Sequence, residues 1–234
     1  MSSKDLSVVL VHGAWADGSS WSKIIAPLAA EGIAALAAQL PLTSFQDDVA
    51  ALDRALERAP GPVVLAGHAY TGAVIAATRS DKVKGLVYVA ALAPNGGETV
   101  ADVFYRLTQH PQAPKLAPDD HGLIYLPDAA FAAAFAQNAT AEELAVLTSV
   151  QRPISPACIT VPVPRPLWKG RPAWFLVAEQ DRMIVQDNQR FMAERMQARL
   201  RSYPVDHTPI VTAPSVVLDV LHEAVAAVRT QGRG

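Results

Sequence analysis

Val63-Val64-Leu65-Ala66-Gly67-His68-Ala69-Tyr70-Thr71-Gly72-Ala73-Val74-Ile75 is the stretch whose reading decides the fold. A short apolar run meets a glycine-containing turn and passes into an alanine-rich segment, which is the pattern of a strand, a sharp turn and a helix. Upstream, Leu6 to Val11 reads as a buried strand entering the loop His12-Gly13-Ala14-Trp15-Ala16-Asp17-Gly18-Ser19-Ser20-Trp21. Its glycines and serines allow a tight bend, and its two tryptophans need apolar cover. Ile24, Ile25, Leu28 and Ala29 fall at helical spacing before Gly32, a C-cap, and Ile33 to Leu40 reads as the next strand. Ser44 is an N-cap for a helix whose buried stripe is Val49, Leu52, Ala55 and Leu56; Asp47 and Asp48 suit the positive end of its dipole.

Beyond the central stretch, a helix to about Arg79 precedes an apolar strand from Val83 to Leu92. The same rhythm resumes at Ala173 to Ala178, with a helix through Phe191 to Met196, a short strand near Leu200 to Tyr203 and a last helix from about Ser215 to Val228. Strands alternating with helices predict an α/β fold, a doubly wound and mostly parallel sheet covered on both faces. Between Asn95 and Trp168 the alternation stops. That segment is punctuated by proline and carries two short helical patterns, Asp128 to Gln137 and Ala141 to Val150. It predicts a helical cap at 95–168 inserted into a core of 1–94 and 169–234, since long irregular segments in compact domains are usually lids or binding loops.

Bulk properties narrow the partners. Half of the 234 residues are apolar and the net charge is −2, so no basic surplus points to nucleic acid or to a membrane surface. No run of about 18 apolar residues could span a bilayer, and Met1 to Asp5 has no basic lead into an apolar segment. Cys158 is the only cysteine, which excludes an internal disulfide, and six scattered histidines do not make a metal site. A cytoplasmic, cofactor-free protein acting on a small molecule is expected, and an apolar cap with an exposed sheet edge would allow a homodimer.

In a doubly wound sheet functional groups gather at the carboxyl ends of the strands. Three such ends carry Ala69, Asp181 and His207, in that order. With the turn around Ala69, His12-Gly13 after the first strand and the cap, this order resembles the small α/β-hydrolases of the esterase and hydroxynitrile-lyase-like branch over nearly the whole chain. The resemblance implies a nucleophile elbow, G-x-S-x-G, with Ala69 at the nucleophile position and Thr71 in place of the second glycine. It also implies Asp181 as the acid that orients the base His207, and an oxyanion hole from the backbone N–H groups of Ala14 and Tyr70. Asp206, next to His207, competes with Asp181, although adjacent side chains tend to diverge. His12 and Trp15 are candidates for lining the site; His12 and His68 also read as loop braces, and Glu179 as a rim charge.

Ala69 closes the covalent acyl-enzyme route. Either a serine was exchanged for alanine, or the chain has diverged; Thr71, a second departure in the same turn, favours divergence. The expected activity is that of an esterase- or lactonase-like enzyme on a small apolar carbonyl substrate. The alternatives are a serine-independent lyase, isomerase or cofactor-free oxygenase run by His207 and Asp181, or a ligand sensor on the same scaffold. Cyanohydrin cleavage fits less well, because Thr208 follows the histidine where plant relatives of that activity carry lysine.

Overall fold

The computed structural model describes residues 6–231. Six strands form one sheet in the order β2-β1-β3-β4-β5-β6, and every pair is parallel. They are β1 (Ser7–Val11), β2 (Ala34–Ala38), β3 (Val63–His68), β4 (Val83–Val89), β5 (Ala173–Ala178) and β6 (Arg199–Tyr203). Residues of β1, β3 and β5 are buried throughout, as near-continuous apolar runs between two helical layers must be, whereas the edge strands β2 and β6 are half exposed.

The order of β2, β1 and β3 fixes where a ligand can sit. The chain leaves β1 through α1 (Ser22–Ala30) to β2 on one side, then returns through α2 (Phe45–Arg58) to β3 on the other. Right-handed crossovers in opposite directions put α1 and α2 on opposite faces. A crevice opens outside the carboxyl ends of β1 and β3, where the two loops part. The loop from His12 and the turn at Ala69 both border it. The register Val11↔Gly67 and Gly67↔Tyr88 sets the ends of β1, β3 and β4 level there.

The remaining helices are α3 (Thr71–Ala77), α4 (Val100–Phe104), α5 (Asp128–Ala130), α6 (Ala141–Ser149), α7 (Gln186–Arg195), α8 (Pro209–Thr212) and α9 (Pro214–Gln231). Asp128 to Gln137 is not one α-helix. α5 runs into a π-helical turn, Phe131–Phe135, closed by Ala136 N–H donating to Phe131 O at 2.7 Å. Arg182 and Thr208 take the carbonyls of Ala133 and Phe135, at 2.7 and 2.5 Å, so tertiary partners compete for the groups that would continue an α-helix. α4 has a capping box, Thr99 with Asp102. In segment 95–168, Phe131, Phe135, Leu147, Ile154 and Trp168 belong to the same buried cluster as the strands.

Gly72 is dictated by close approach. A Cβ there would collide with the carbonyl oxygen of Leu92 and lie 2.9 Å from Ala91 Cβ. Backbone cannot yield as a flexible side chain can, so Gly72→Ala is expected to destabilise the fold by about 3 kcal/mol. Urea unfolding of the purified variant checks this, and an unchanged midpoint would show that α3 can shift away from Leu92.

Candidate active site

Ala69 sits at the tip of the turn between β3 and α3 with φ +52°, a left-handed conformation that costs a non-glycine residue about 1–2 kcal/mol. Hydrogen bonds hold it there: Ala69 N–H donates to Val89 O at 3.2 Å, and Leu92 N–H to Ala69 O at 2.9 Å. The Thr71 hydroxyl turns inward, within 2.9 Å of His68 O and 3.0 Å of Val11 O, and the residue is fully buried. Thr71 therefore ties β1 to the turn and offers no nucleophile.

Asp181 and His207 come from neighbouring strand ends, beyond β5 and β6. His207 Nδ1 and Asp181 Oδ2 are 2.8 Å apart, and both side chains are at most 2% exposed. Asp181 also accepts from Met183 N at 2.7 Å, Ile184 N at 2.8 Å and Gln189 Nε2 at 2.8 Å. A carboxylate with four donors is held in one orientation. Asp206 has other work: its oxygens take Thr208 N, Thr212 Oγ1 and Asn138 N. Glu179 binds Ser202 Oγ at 2.6 Å, away from the pair.

His207, Ala69, Tyr70, Ala14 and Trp15 border one cavity of about 70 Å³. That is several times the roughly 10–15 Å³ that admits one water, so it takes a small organic group. Its walls are apolar, with Leu92, Val100, Ile124, Ile154, Met183 and Ile184 among them, and Phe104, Tyr105 and Leu116 lead outward. Tyr105 is 57% exposed and marks the mouth. Trp15, at φ +58°, is anchored to segment 95–168 twice, through its N–H to Arg152 O (3.1 Å) and Nε1 to Ile124 O (2.9 Å).

His12 lies behind this loop, bracing it. Nε2 accepts from Leu40 N at 3.0 Å, which leaves Nδ1–H to donate to Gly13 O at 2.9 Å. His68 braces the floor, its Nε2–H donating to His207 O at 2.7 Å. A Cβ on Gly13 would come within 3.1 Å of both His68 Nδ1 and Ala69 Cβ, so the loop, the turn and the brace interlock. His110, His121 and His222 stand apart from the cavity, and His222 pairs with Glu31.

Burial lowers the pKa of His12 to about 4 and of His68 to about 3. Both stay neutral in the fold while the unfolded chain takes up their protons near pH 6.5. The sign follows: below pH 6.5 the unfolded state binds more protons, so stability falls as pH drops toward 4. At pH 5 each histidine forfeits about 2 kcal/mol, while the raised pKa of Asp48 acts in the opposite direction. Urea unfolding is expected to show a lower stability at pH 5 than at pH 7, and equal stabilities would refute the neutral braces.

Two site neighbours have no sequence signal of this kind. Gln189 carries Asp181 on Nε2 and accepts Ala178 N at 3.0 Å on Oε1. Phe135 lays its ring 5.3 Å from that of His207 and packs on Trp15 and His68.

A parallel sheet with this elbow, and a histidine and a carboxylate at successive strand ends, is matched over residues 8–220 by the model of the alpha/beta hydrolase family. The chain belongs to the alpha/beta hydrolase family. Its solved structural neighbours include a pyrethroid hydrolase from Sphingobium faniae JZ-2, with TM-score 0.81, 21% identity and coverage of 95% of this chain and 98% of that one. Polyneuridine aldehyde esterase gives TM-score 0.77 at 18% identity, covering 94% and 98%. Tomato methylketone synthase I, as a histidine-to-alanine variant with β-ketoheptanoate, gives TM-score 0.81 at 17% identity, covering 96% and 99%. At these identities the likeness is one of fold. No curated protein sequence matches. Among the described residues, no helix of this family member is long and apolar enough to cross a membrane.

Proposed function

We propose that this alpha/beta hydrolase is an enzyme for a small, largely apolar carbonyl compound that works without an acyl-enzyme. His207 is its general base and acid, Asp181 orients it, and the backbone N–H groups of Ala14 and Tyr70 hold a developing oxyanion. Residues 95–168 roof the cavity. The observation that carries this reading is the combination at the elbow: the strained turn and the buried His207–Asp181 pair are intact, while position 69 has no hydroxyl.

Two reactions fit these groups. In an ester or lactone, His207 takes a proton from water as the water oxygen attacks the carbonyl, and returns it to the leaving alkoxide. In a β-keto acid no nucleophile is needed. The bond from the α-carbon to the carboxylate breaks, carbon dioxide leaves, the electron pair moves onto the ketone oxygen, and His207 relays a proton from water to the α-carbon. Apolar walls disfavour the bound carboxylate relative to the charge-dispersed transition state, and the backbone donors favour the enolate oxygen. The β-keto acid is the better match, because its cleavage requires no attacking nucleophile, and a structural neighbour is described with β-ketoheptanoate.

The test is turnover by the unaltered chain of 3-oxohexanoate and of p-nitrophenyl butyrate, with a fluorophosphonate probe alongside. Methyl ketone and carbon dioxide are expected from the first, and no covalent labelling. Labelling would overturn the non-acylating mechanism. Ligand-dependent melting with no product from either compound would instead favour a sensor.

A further inference from the structure

On the reading that Tyr70 N–H helps hold the oxyanion, we propose that Asp48 is a positioning residue for that site, acting through the Tyr70 hydroxyl. Asp48 lies in the first turn of α2, where a carboxylate ordinarily faces water. Here it is fully buried. Oδ1 accepts Leu42 N–H at 2.8 Å, and Oδ2 accepts the Tyr70 hydroxyl at 2.8 Å and the Cys158 thiol at 3.6 Å. These are its hydrogen-bond partners among the described residues, and none is a cation. Burial pushes the Asp48 carboxyl up and the Cys158 thiol up to about 12, so the thiol stays protonated and donates.

Burying a carboxylate without a cation is costly, and a smaller apolar side chain would fill the space without that cost. What the anion provides is a charge-assisted grip on three donors from three parts of the chain. Tyr70 matters most among them. The direction of its N–H is set by the peptide between residues 69 and 70, and the Ala69 side of that peptide is fixed by the bonds to Val89 and Leu92. Tyr70 itself borders the cavity, and its far end is moored through the hydroxyl, which donates to Asp48 and lies beside the Cys158 thiol. The carboxylate also holds Leu42 at φ +58°, and Leu42 O accepts Ser155 N–H at 2.9 Å, next to the turn that carries Cys158. One anion thus joins α2, the elbow and the overlying segment at the point where the N–H must be aimed.

The experiment uses Ala69→Ser as the background and the acylation burst with p-nitrophenyl butyrate as the readout. Tyr70→Phe and Asp48→Asn are each expected to slow acylation roughly tenfold, below the roughly 10²–10³-fold cost of deleting an oxyanion donor outright. KM should stay within about twofold, and the double variant should be no slower than the slower single one, as expected for residues acting as a unit. Tyr70→Phe keeps the Leu42 and Cys158 contacts, so it remains informative if Asp48→Asn folds poorly. A burst that Tyr70→Phe leaves unchanged, or effects of the two variants that multiply, overturns the role of Asp48 alone. Absence of any burst in folded Ala69→Ser overturns the oxyanion reading beneath it.

Discussion

Ala69→Ser is expected to label with a fluorophosphonate and to release one equivalent of nitrophenol per protein in a burst from p-nitrophenyl butyrate, where the unaltered chain does neither. Position 69 already holds the left-handed conformation, at φ +52°, and borders the same cavity as His207. Its surroundings need no rebuilding, because the strain is carried by hydrogen bonds of the turn and not by the missing hydroxyl. Serine adds one oxygen to a residue that is only 7% exposed, and His207, with Nδ1 committed to Asp181, has its other nitrogen available as base. Removing the nucleophile from a working triad costs about 10⁶ in kcat, so a partly tuned replacement should raise esterase turnover on the order of 10³-fold. A folded variant with neither label nor burst would show that the elbow, His207 and the backbone donors of the oxyanion site are not arranged for acyl transfer.

His207→Ala in the unaltered chain is expected to lower turnover by about 10²–10⁴-fold, the usual contribution of a positioned general acid–base group. The fold should survive. The His207 carbonyl keeps its bond from His68, and Asp181 keeps Met183 N, Ile184 N and Gln189 Nε2. The loss is therefore chemical, and added imidazole should restore part of it in the cavity left beside Phe135. Rates measured with 3-oxohexanoate, with circular dichroism alongside, decide the matter: full turnover without the imidazole would exclude His207 from the reaction.

The parallel sheet and the elbow were legible in sequence because a strand buried on both faces leaves a continuous apolar run, and Val63 to Ala66 ends on Gly67 with an alanine-rich helix beyond. Helix ends at Ala77 rather than Arg79, and at Gln231 rather than Val228, show the usual looseness of boundaries. The pairing of His207 with Asp181 was legible by order along the chain. Asp48 was not. It reads as a dipole-facing carboxylate, and only its spacing from Phe45 and Leu52, three and four residues away on the buried stripe, betrays the inward turn. α4 had a signal in Thr99 and Asp102 that its short length obscured. The π-helical turn at Phe131–Phe135 had none, since Arg182 and Thr208, which take its carbonyls, lie far away in sequence.

Segment 95–168 is sewn to the core by hydrogen bonds, several of them buried: Trp15 to Ile124 and Arg152, Asn188 Nδ2 to Val103 O, Thr208 to Phe135 O, and Asn138 N–H to Asp206. Lifting it would break these bonds together, at about 0.5–1.5 kcal/mol for each one exchanged for water. Traffic through the exposed ring of Tyr105 avoids that barrier. Side-chain rotation at a surface takes picoseconds to nanoseconds, against microseconds to milliseconds for the swing of a lid. Compounds would then come and go through a doorway, beneath a ceiling that stays in place.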